Sequence, residues 1–310
     1  MERIKQALER AREERLRAQG TAPPASQSAP SGMAASTGQI LYSRTRTEEV
    51  PADLLREKRI ITAVDSGPFT DAYRILRTQV LQRLQENHWN VLAITSPAAD
   101  EGKTLTAINL AISLAKEIEH TVLLVDADLR NPSIHTYFGL HPELGLSDYL
   151  TSDVPLEDLL IHPSGIGRIV ILPGGKPLDN SSEMLNSPKM SRLVEELKSR
   201  YRTRVVLFDL PPLLTTADAL AFSPYVDAAL LIIEEGKTAS AEIRRAVELL
   251  GNTKLIGTVL NKSQSAKSDG ENSDHWSDRI IDWLRDNRIV DMVGVKLQNW
   301  SRKLGRKTPL

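Results

Sequence analysis

Cysteine is absent from this chain of 310 residues, which excludes a disulfide framework and any thiol chemistry. No apolar run approaches the ~18 residues of a membrane-spanning helix. The opening Met1-Glu2-Arg3-Ile4-Lys5 is followed by no apolar stretch of the kind that forms a secretory signal. A formal net charge of −1 supplies no bulk attraction to nucleic acid, so none is expected as a partner. The expectation is a soluble, cytoplasmic protein with enough chain for one large α/β domain plus extensions. Tyrosine stops early: it occurs at positions 42, 73, 137, 149, 201 and 225 and nowhere beyond.

What is present is three apolar runs, each ending in groups suited to a nucleotide and its metal. Val91-Leu92-Ala93-Ile94 leads to Asp100-Glu101-Gly102-Lys103-Thr104. Thr121-Val122-Leu123-Leu124-Val125 leads to Asp126-Ala127-Asp128-Leu129-Arg130. Val205-Val206-Leu207-Phe208 leads to Asp209-Leu210-Pro211-Pro212. Apolar runs of this length that stop at turns read as strands covered on both faces. Polar groups at the carboxyl ends of such strands lie where open α/β sheets bind ligands.

Gly102-Lys103-Thr104 opens a helix pattern that continues from Leu105 to Glu117. Strand, loop, Gly-Lys-Thr and helix make a P-loop arrangement. Backbone N–H groups at the helix start, Gly102 to Leu105, cradle phosphate oxygens; Lys103 adds a point charge and the Thr104 hydroxyl binds Mg²⁺. The loop departs from the common pattern, with Pro97 where a glycine is usual and no glycine from 97 to 101. Asp126 and Asp128 lie two apart, so on an extended chain they point the same way. Asp209 stands where an acidic residue holds Mg²⁺ through water beside a P-loop. Each stretch alone also fits an ordinary turn or an Asp-capped helix; the three together favour an ATP site.

The order and spacing of these motifs resemble the bacterial tyrosine kinases of capsule and exopolysaccharide synthesis, from about Asp71 to about Lys262. The stretch from Val122 to Arg130 is the most specific element; the division-site and partition ATPases share the fold but usually lack it. Gly145-Leu146-Ser147, Leu172-Pro173-Gly174-Gly175, Asn180 to Leu185, Asp218-Ala219 and Gly257 to Asn261 also match. The resemblance implies a P-loop NTPase of the deviant Walker type that uses ATP and Mg²⁺ as a protein-tyrosine kinase. It implies Asp126 as the base that takes the tyrosine proton, with Asp128 and Lys103 beside it. It gives Thr104, Asp128 and Asp209 to the metal, and Asn261 to the adenine. Asp71-Ala72-Tyr73-Arg74-Ile75-Leu76-Arg77 looks like the family's Glu-x-x-Arg-x-x-Arg oligomer helix, which implies a homo-oligomer built through Asp71, Arg74 and Arg77. The implied partner is a separate, membrane-embedded protein of polysaccharide chain-length control and export, at the inner face of the plasma membrane.

Two departures bear on activity. Ala99-Asp100 stands where the family generally has Pro-Gly, placing a carboxylate near bound phosphates. The family's tyrosine-rich tail has no counterpart after Tyr225. The chain therefore phosphorylates something else, or serves as a nucleotide-switched ATPase scaffold or pseudokinase. A partition-type ATPase is disfavoured by Ala98, where that class has lysine, and by the full acidic motif.

Strands alternating with helices imply a mostly parallel sheet covered by helices on both faces. Residues 1–19 read as a charged helix with a thin stripe of Ile4, Leu8 and Ala11, and 20–45 as a flexible linker. Residues 46–262 form the P-loop domain, including the oligomerisation helix at 69–85. Residues 263–310 are a C-terminal extension. Within it Val293, Leu297, Trp300 and Leu304 recur at helical spacing among Lys296, Arg302, Lys303, Arg306 and Lys307, a basic amphipathic pattern over 293–307. Such a helix either adsorbs to an anionic membrane or packs on its own domain.

Overall fold

The computed structural model describes residues 45–62, 65–117, 121–200, 204–251 and 253–263, and the backbone of 294–298. The expected N-terminal helix and nearly all of the linker lie outside the described residues. In chain order the elements are β1 (Arg46–Glu48), α1 (Ala52–Glu57), α2 (Pro68–Asn87), β2 (Val91–Thr95), α3 (Lys103–Ala115), β3 (Thr121–Asp126), α4 (Ile134–Phe138), α5 (Leu146–Thr151), β4 (Ile161–Pro163) and β5 (Ile169–Leu172). They continue with α6 (Ser181–Leu185), α7 (Pro188–Arg200), β6 (Arg204–Asp209), α8 (Asp218–Phe222), β7 (Ala228–Glu234), α9 (Ser240–Leu250), β8 (Lys254–Ser263) and β9 (Gly294–Gln298).

The strands form one sheet in the order β1-β4-β5-β3-β6-β2-β7-β8-β9. Every neighbouring pair is parallel except β4 and β5. Alternation within the apolar runs sends successive side chains to opposite faces. Leu92, Ile94, Val122, Leu124, Val205 and Leu207 join the core under α2 and α3. Val91, Ala93, Leu123, Val125, Val206 and Phe208 join the core under α7 and α9. Both faces are covered, which is why the central strands read as continuous apolar runs rather than as alternating ones. Truncating one of these fully buried leucines, such as Leu124, costs about 2–5 kcal/mol.

β3, β6 and β2 lie side by side and end at the same edge. Asp126 is the register partner of Asp209, and Ile94, just before the P-loop, is also paired with Asp209. Parallel pairing thus gathers three motifs far apart in sequence onto one rim.

The C-terminal region corrects an expectation. Residues 294–298 are not helical but form β9, parallel to β8, with Thr258 opposite Gly294 and Leu260 opposite Lys296. Gly294 is a poor helix residue and Val295 is β-branched, while the outer edge of β8 offers a ready row of backbone partners. This piece of the extension belongs to the sheet; residues 299–310 lie outside the described residues.

Candidate functional site

The phosphate loop runs from Ser96 to Gly102 between β2 and α3. Its start is tied to the β6 end by Leu213 N–H donating to Ser96 O (2.8 Å) and Leu214 N–H to Pro97 O (3.1 Å). Asp100 has φ +63° and Gly102 φ +88°. The position where the sequence departs from glycine therefore still adopts the left-handed conformation, which aspartate tolerates better than most residues. A Cβ at Gly102 would also sit 2.1 Å from Asn261 Nδ2, so the Asn261 side chain would have to shift. No side chain caps the start of α3 and its first turn has no acidic residue, so the N–H groups and the helix dipole face an incoming anion.

Side chains replace the missing glycines in holding the loop. Glu101, 2% exposed, accepts Ala98 N–H on Oε2 (2.9 Å) and the Thr238 hydroxyl on Oε1. Burial pushes the Glu101 carboxyl above its usual range, against the pull of Thr238 and the Ala98 N–H. Asn261 Nδ2 donates to Glu101 O (2.8 Å), and Lys262 Nζ donates to Asp100 O (2.5 Å) while pairing with Glu234 (2.9 Å). Asn261, expected at the adenine, is here the brace between the β8 end and the phosphate loop. The Glu101–Thr238 link was not foreseen; a buried glutamate inside a loop was the only signal.

The expected charged residues converge. Lys103 Nζ lies 2.9 Å from Asp128 Oδ2 and 3.9 Å from Asp209 Oδ1, and it contacts Thr104 Oγ1 at 3.3 Å. The Thr104 hydroxyl donates to Asp209 Oδ2 (2.7 Å). Burial on its own would depress the Lys103 ammonium, but Asp209, Asp128 and Asp126 outweigh it and hold its pKa above the ordinary lysine value. Asp209 is raised by burial, against Lys103 and Thr104, and its Oδ1 is buried with no hydrogen-bond partner among the described residues. A hydroxyl and a carboxylate with a spare buried oxygen beside a phosphate cradle suit Mg²⁺, which keeps waters and takes few protein ligands.

Asp126 is fully buried at the end of β3. Its Oδ2 accepts Ser133 N–H (2.8 Å) and Ile134 N–H (2.9 Å) at the start of α4. Asp126 thus ties the start of α4 to the end of β3 and lies on the same rim as Asp209. Its Oδ1 has no hydrogen-bond partner among the described residues. Burial first, then the facing Asp209, push its pKa up to about 7, where a carboxylate works well as a base near neutral pH. Asp128 turns its Oδ1 to Asn131 N–H (3.2 Å) and its Oδ2 to Lys103.

Arg130 closes the acidic motif by pairing with the buried Asp218 (3.2 Å), which also accepts the Ser181 hydroxyl (2.5 Å). Three of the matching stretches meet in this cluster. On α2, Asp71 and Arg74 form an exposed pair one turn apart (2.7 Å). Arg77 turns to its own chain, reaching Glu117 (2.9 Å) and Ser113 O (3.3 Å). Among the described residues no helix is long and apolar enough to cross a membrane.

The CobQ/CobB/MinD/ParA nucleotide binding domain family matches residues 92–292. Tyrosine-protein kinase YwqD of Bacillus subtilis is 34% identical over 200 residues, which cover 64% of this chain and 83% of YwqD. The succinoglycan biosynthesis transport protein ExoP of Rhizobium meliloti is 31% identical over 250 residues; the match spans 76% of this chain but 31% of ExoP. Among solved structures, the VpsO kinase domain is 32% identical with a TM-score of 0.56, covering 62% of this chain and 94% of that one. The kinase domain of the Escherichia coli tyrosine kinase Etk is 28% identical with a TM-score of 0.61, covering 72% and 91%. The fold, the gathered aspartates and these matches agree: the chain belongs to the bacterial tyrosine-kinase family, within the CobQ/CobB/MinD/ParA nucleotide-binding proteins.

Proposed function

We propose that the chain is an ATP- and Mg²⁺-dependent protein-tyrosine kinase acting in exopolysaccharide or capsule synthesis and export. The observation that carries this reading is Asp126: a buried carboxylate with one oxygen unpartnered among the described residues, in register with Asp209 and within the field of Lys103. The N–H groups at the α3 start and the Lys103 ammonium hold the phosphates. Thr104 and Asp209, with Asp128 nearby, would hold a magnesium ion, which would neutralise charge on the phosphate oxygens. Asp126 Oδ1 accepts the proton of an acceptor tyrosine as its oxygen forms the new bond to the γ-phosphorus and the bond to the ADP oxygen breaks. Such transfer needs mostly positioning and charge compensation, which this rim supplies.

The acceptor is not Tyr73, which is 1% exposed in the core. The partner of this reading is a membrane-embedded chain-length and export protein, with the kinase peripheral to the inner face of the membrane and oligomeric through the Asp71–Arg74 surface. Incubation of the full chain with Mg-ATP and that partner is expected to yield phosphotyrosine, lost in Lys103→Ala and Asp126→Ala. A nucleotide-switched scaffold is the second reading, favoured by the carboxylate of Asp100 at the loop. ATP binding with no tyrosine ever modified selects it and overturns the kinase.

A further inference from the structure

The phosphate loop follows β2, and β6 separates β2 from β3 in the sheet. With phosphates in that loop, an acceptor reaches Asp126 over the ends of β3 and β5. The surface there is made by residues 128–132 and 173–183, and it is firmly tied. Leu178 N–H donates to Leu129 O (2.8 Å), Leu146 N–H to Pro173 O (2.8 Å) and Ser147 N–H to Gly174 O (2.9 Å). Gly174 packs so closely that a Cβ on it would lie 3.3 Å from Asp126 O and 2.7 Å from Pro132 Cβ.

Arg130 stands in this surface with one edge of its guanidinium committed. Its Nε donates to the two oxygens of Asp218, at 3.2 and 3.4 Å. Asp218 is fully buried and also accepts the Ser181 hydroxyl, so the arginine is anchored to a fixed point beneath the surface. Its terminal amino groups make no hydrogen bond among the described residues, although the side chain is only 38% exposed. Glu183, two residues beyond Ser181 on α6, gives its carboxylate to the Ser182 hydroxyl instead (3.0 Å).

A guanidinium is a planar fork with five N–H donors. Held through Nε, it presents its outer edge in one orientation, and that edge matches a carboxylate through two parallel hydrogen bonds. Because Asp218 already fixes the side chain, little freedom is lost when the edge is used. A lysine in its place would give its single point charge to Asp218 and keep no edge for a second anion.

We infer that Arg130 recognises an acidic side chain flanking the acceptor tyrosine, with Asp218 and Ser181 as its positioning residues. This rests on the kinase reading of the site and adds the class of substrate: a tyrosine segment that carries a carboxylate next to its hydroxyl-bearing residue.

The test measures phosphorylation by the full chain, with Mg-ATP, of two tyrosine peptides that differ only in glutamate or glutamine beside the tyrosine. The wild type is expected to favour the glutamate peptide about tenfold in kcat/KM, with the difference in KM. Arg130→Lys keeps a cation against Asp218 and is expected to bring the two peptides within about twofold of each other, with ATP affinity by calorimetry also within about twofold of wild type. The double variant Arg130→Gln, Asp218→Asn removes the fork and leaves no buried charge uncompensated, and the same loss of preference is expected. A wild type without preference, a preference that survives in both variants, or equal losses for both peptides in Arg130→Lys overturns the recognition and leaves the kinase reading standing. A wild type that modifies neither peptide also overturns the recognition; one that modifies neither peptide nor the membrane partner overturns the kinase reading with it.

Discussion

Asp126 and Asp209 face each other as register partners on adjacent parallel strands, both fully buried. Two carboxylates so placed resist ionising together, and the rise of Asp126 to about 7 has burial and then Asp209 as its leading causes. The sign of the linked stability follows. Below about pH 4 the carboxyl is protonated both folded and unfolded; between there and pH 7 the folded state keeps a proton the unfolded state has lost. Stability therefore falls as pH rises through that window, and the full cost is present above it.

Asp126→Asn removes that cost. Thermal denaturation of the nucleotide-free protein is expected to show the variant more stable than wild type at about pH 8, by on the order of a few kcal/mol, with the two converging near pH 4. The same variant loses phosphotyrosine formation. No stabilisation at high pH would show that Asp126 ionises freely and is not the tuned base.

Lys103 predicts the opposite shift. It is the cation that Asp128 and Asp209 surround, so Lys103→Ala leaves buried carboxylates uncompensated. Stability should drop near neutral pH and recover on acidification, and ATP affinity measured by titration should fall at least about tenfold. Retained ATP affinity in this variant would remove the lysine from the phosphate site.

Asp100 holds a left-handed conformation that costs a non-glycine residue roughly 1–2 kcal/mol. Asp100→Gly relieves that strain and takes a carboxylate away from the phosphates. The expected outcome is ATP binding tightened severalfold, with a larger gain at low ionic strength than at high, because an exposed charge is screened by salt. Equal affinities at both salt levels would count against any effect of that charge.

Thr238 is distant in sequence from the loop it holds. Thr238→Val strips the hydroxyl from buried Glu101 and should cost about 1–3 kcal/mol of stability together with weaker ATP binding. Thr238→Ser restores the donor and is expected to restore both quantities. A valine variant with wild-type affinity would show that the loop keeps its shape without the link.

The central sheet was legible because both-face burial leaves long apolar runs, and the rim because each run ends in a charged motif. Lys103, Thr104, Asp126, Asp128 and Asp209 come together as their spacing suggested. Asn261 was found at the site but with a bracing contact, since a side-chain amide fits a base edge and a backbone carbonyl equally well. The Glu101–Thr238 contact was hidden because it joins a polar residue to a segment more than a hundred positions away and lies in no periodic pattern. Strand β9 was mistaken for helix because Val293, Leu297 and Trp300 also satisfy a helical spacing, and only the open edge of β8 decides between them.

That last strand has a practical bearing on how the protein is shortened. A chain cut after Lys262 would leave the outermost ladder of β8 bare, a long ribbon of unanswered amides and carbonyls able to recruit any other extended segment. Insolubility of such a truncate would report a frayed margin of the sheet rather than damage to nucleotide chemistry.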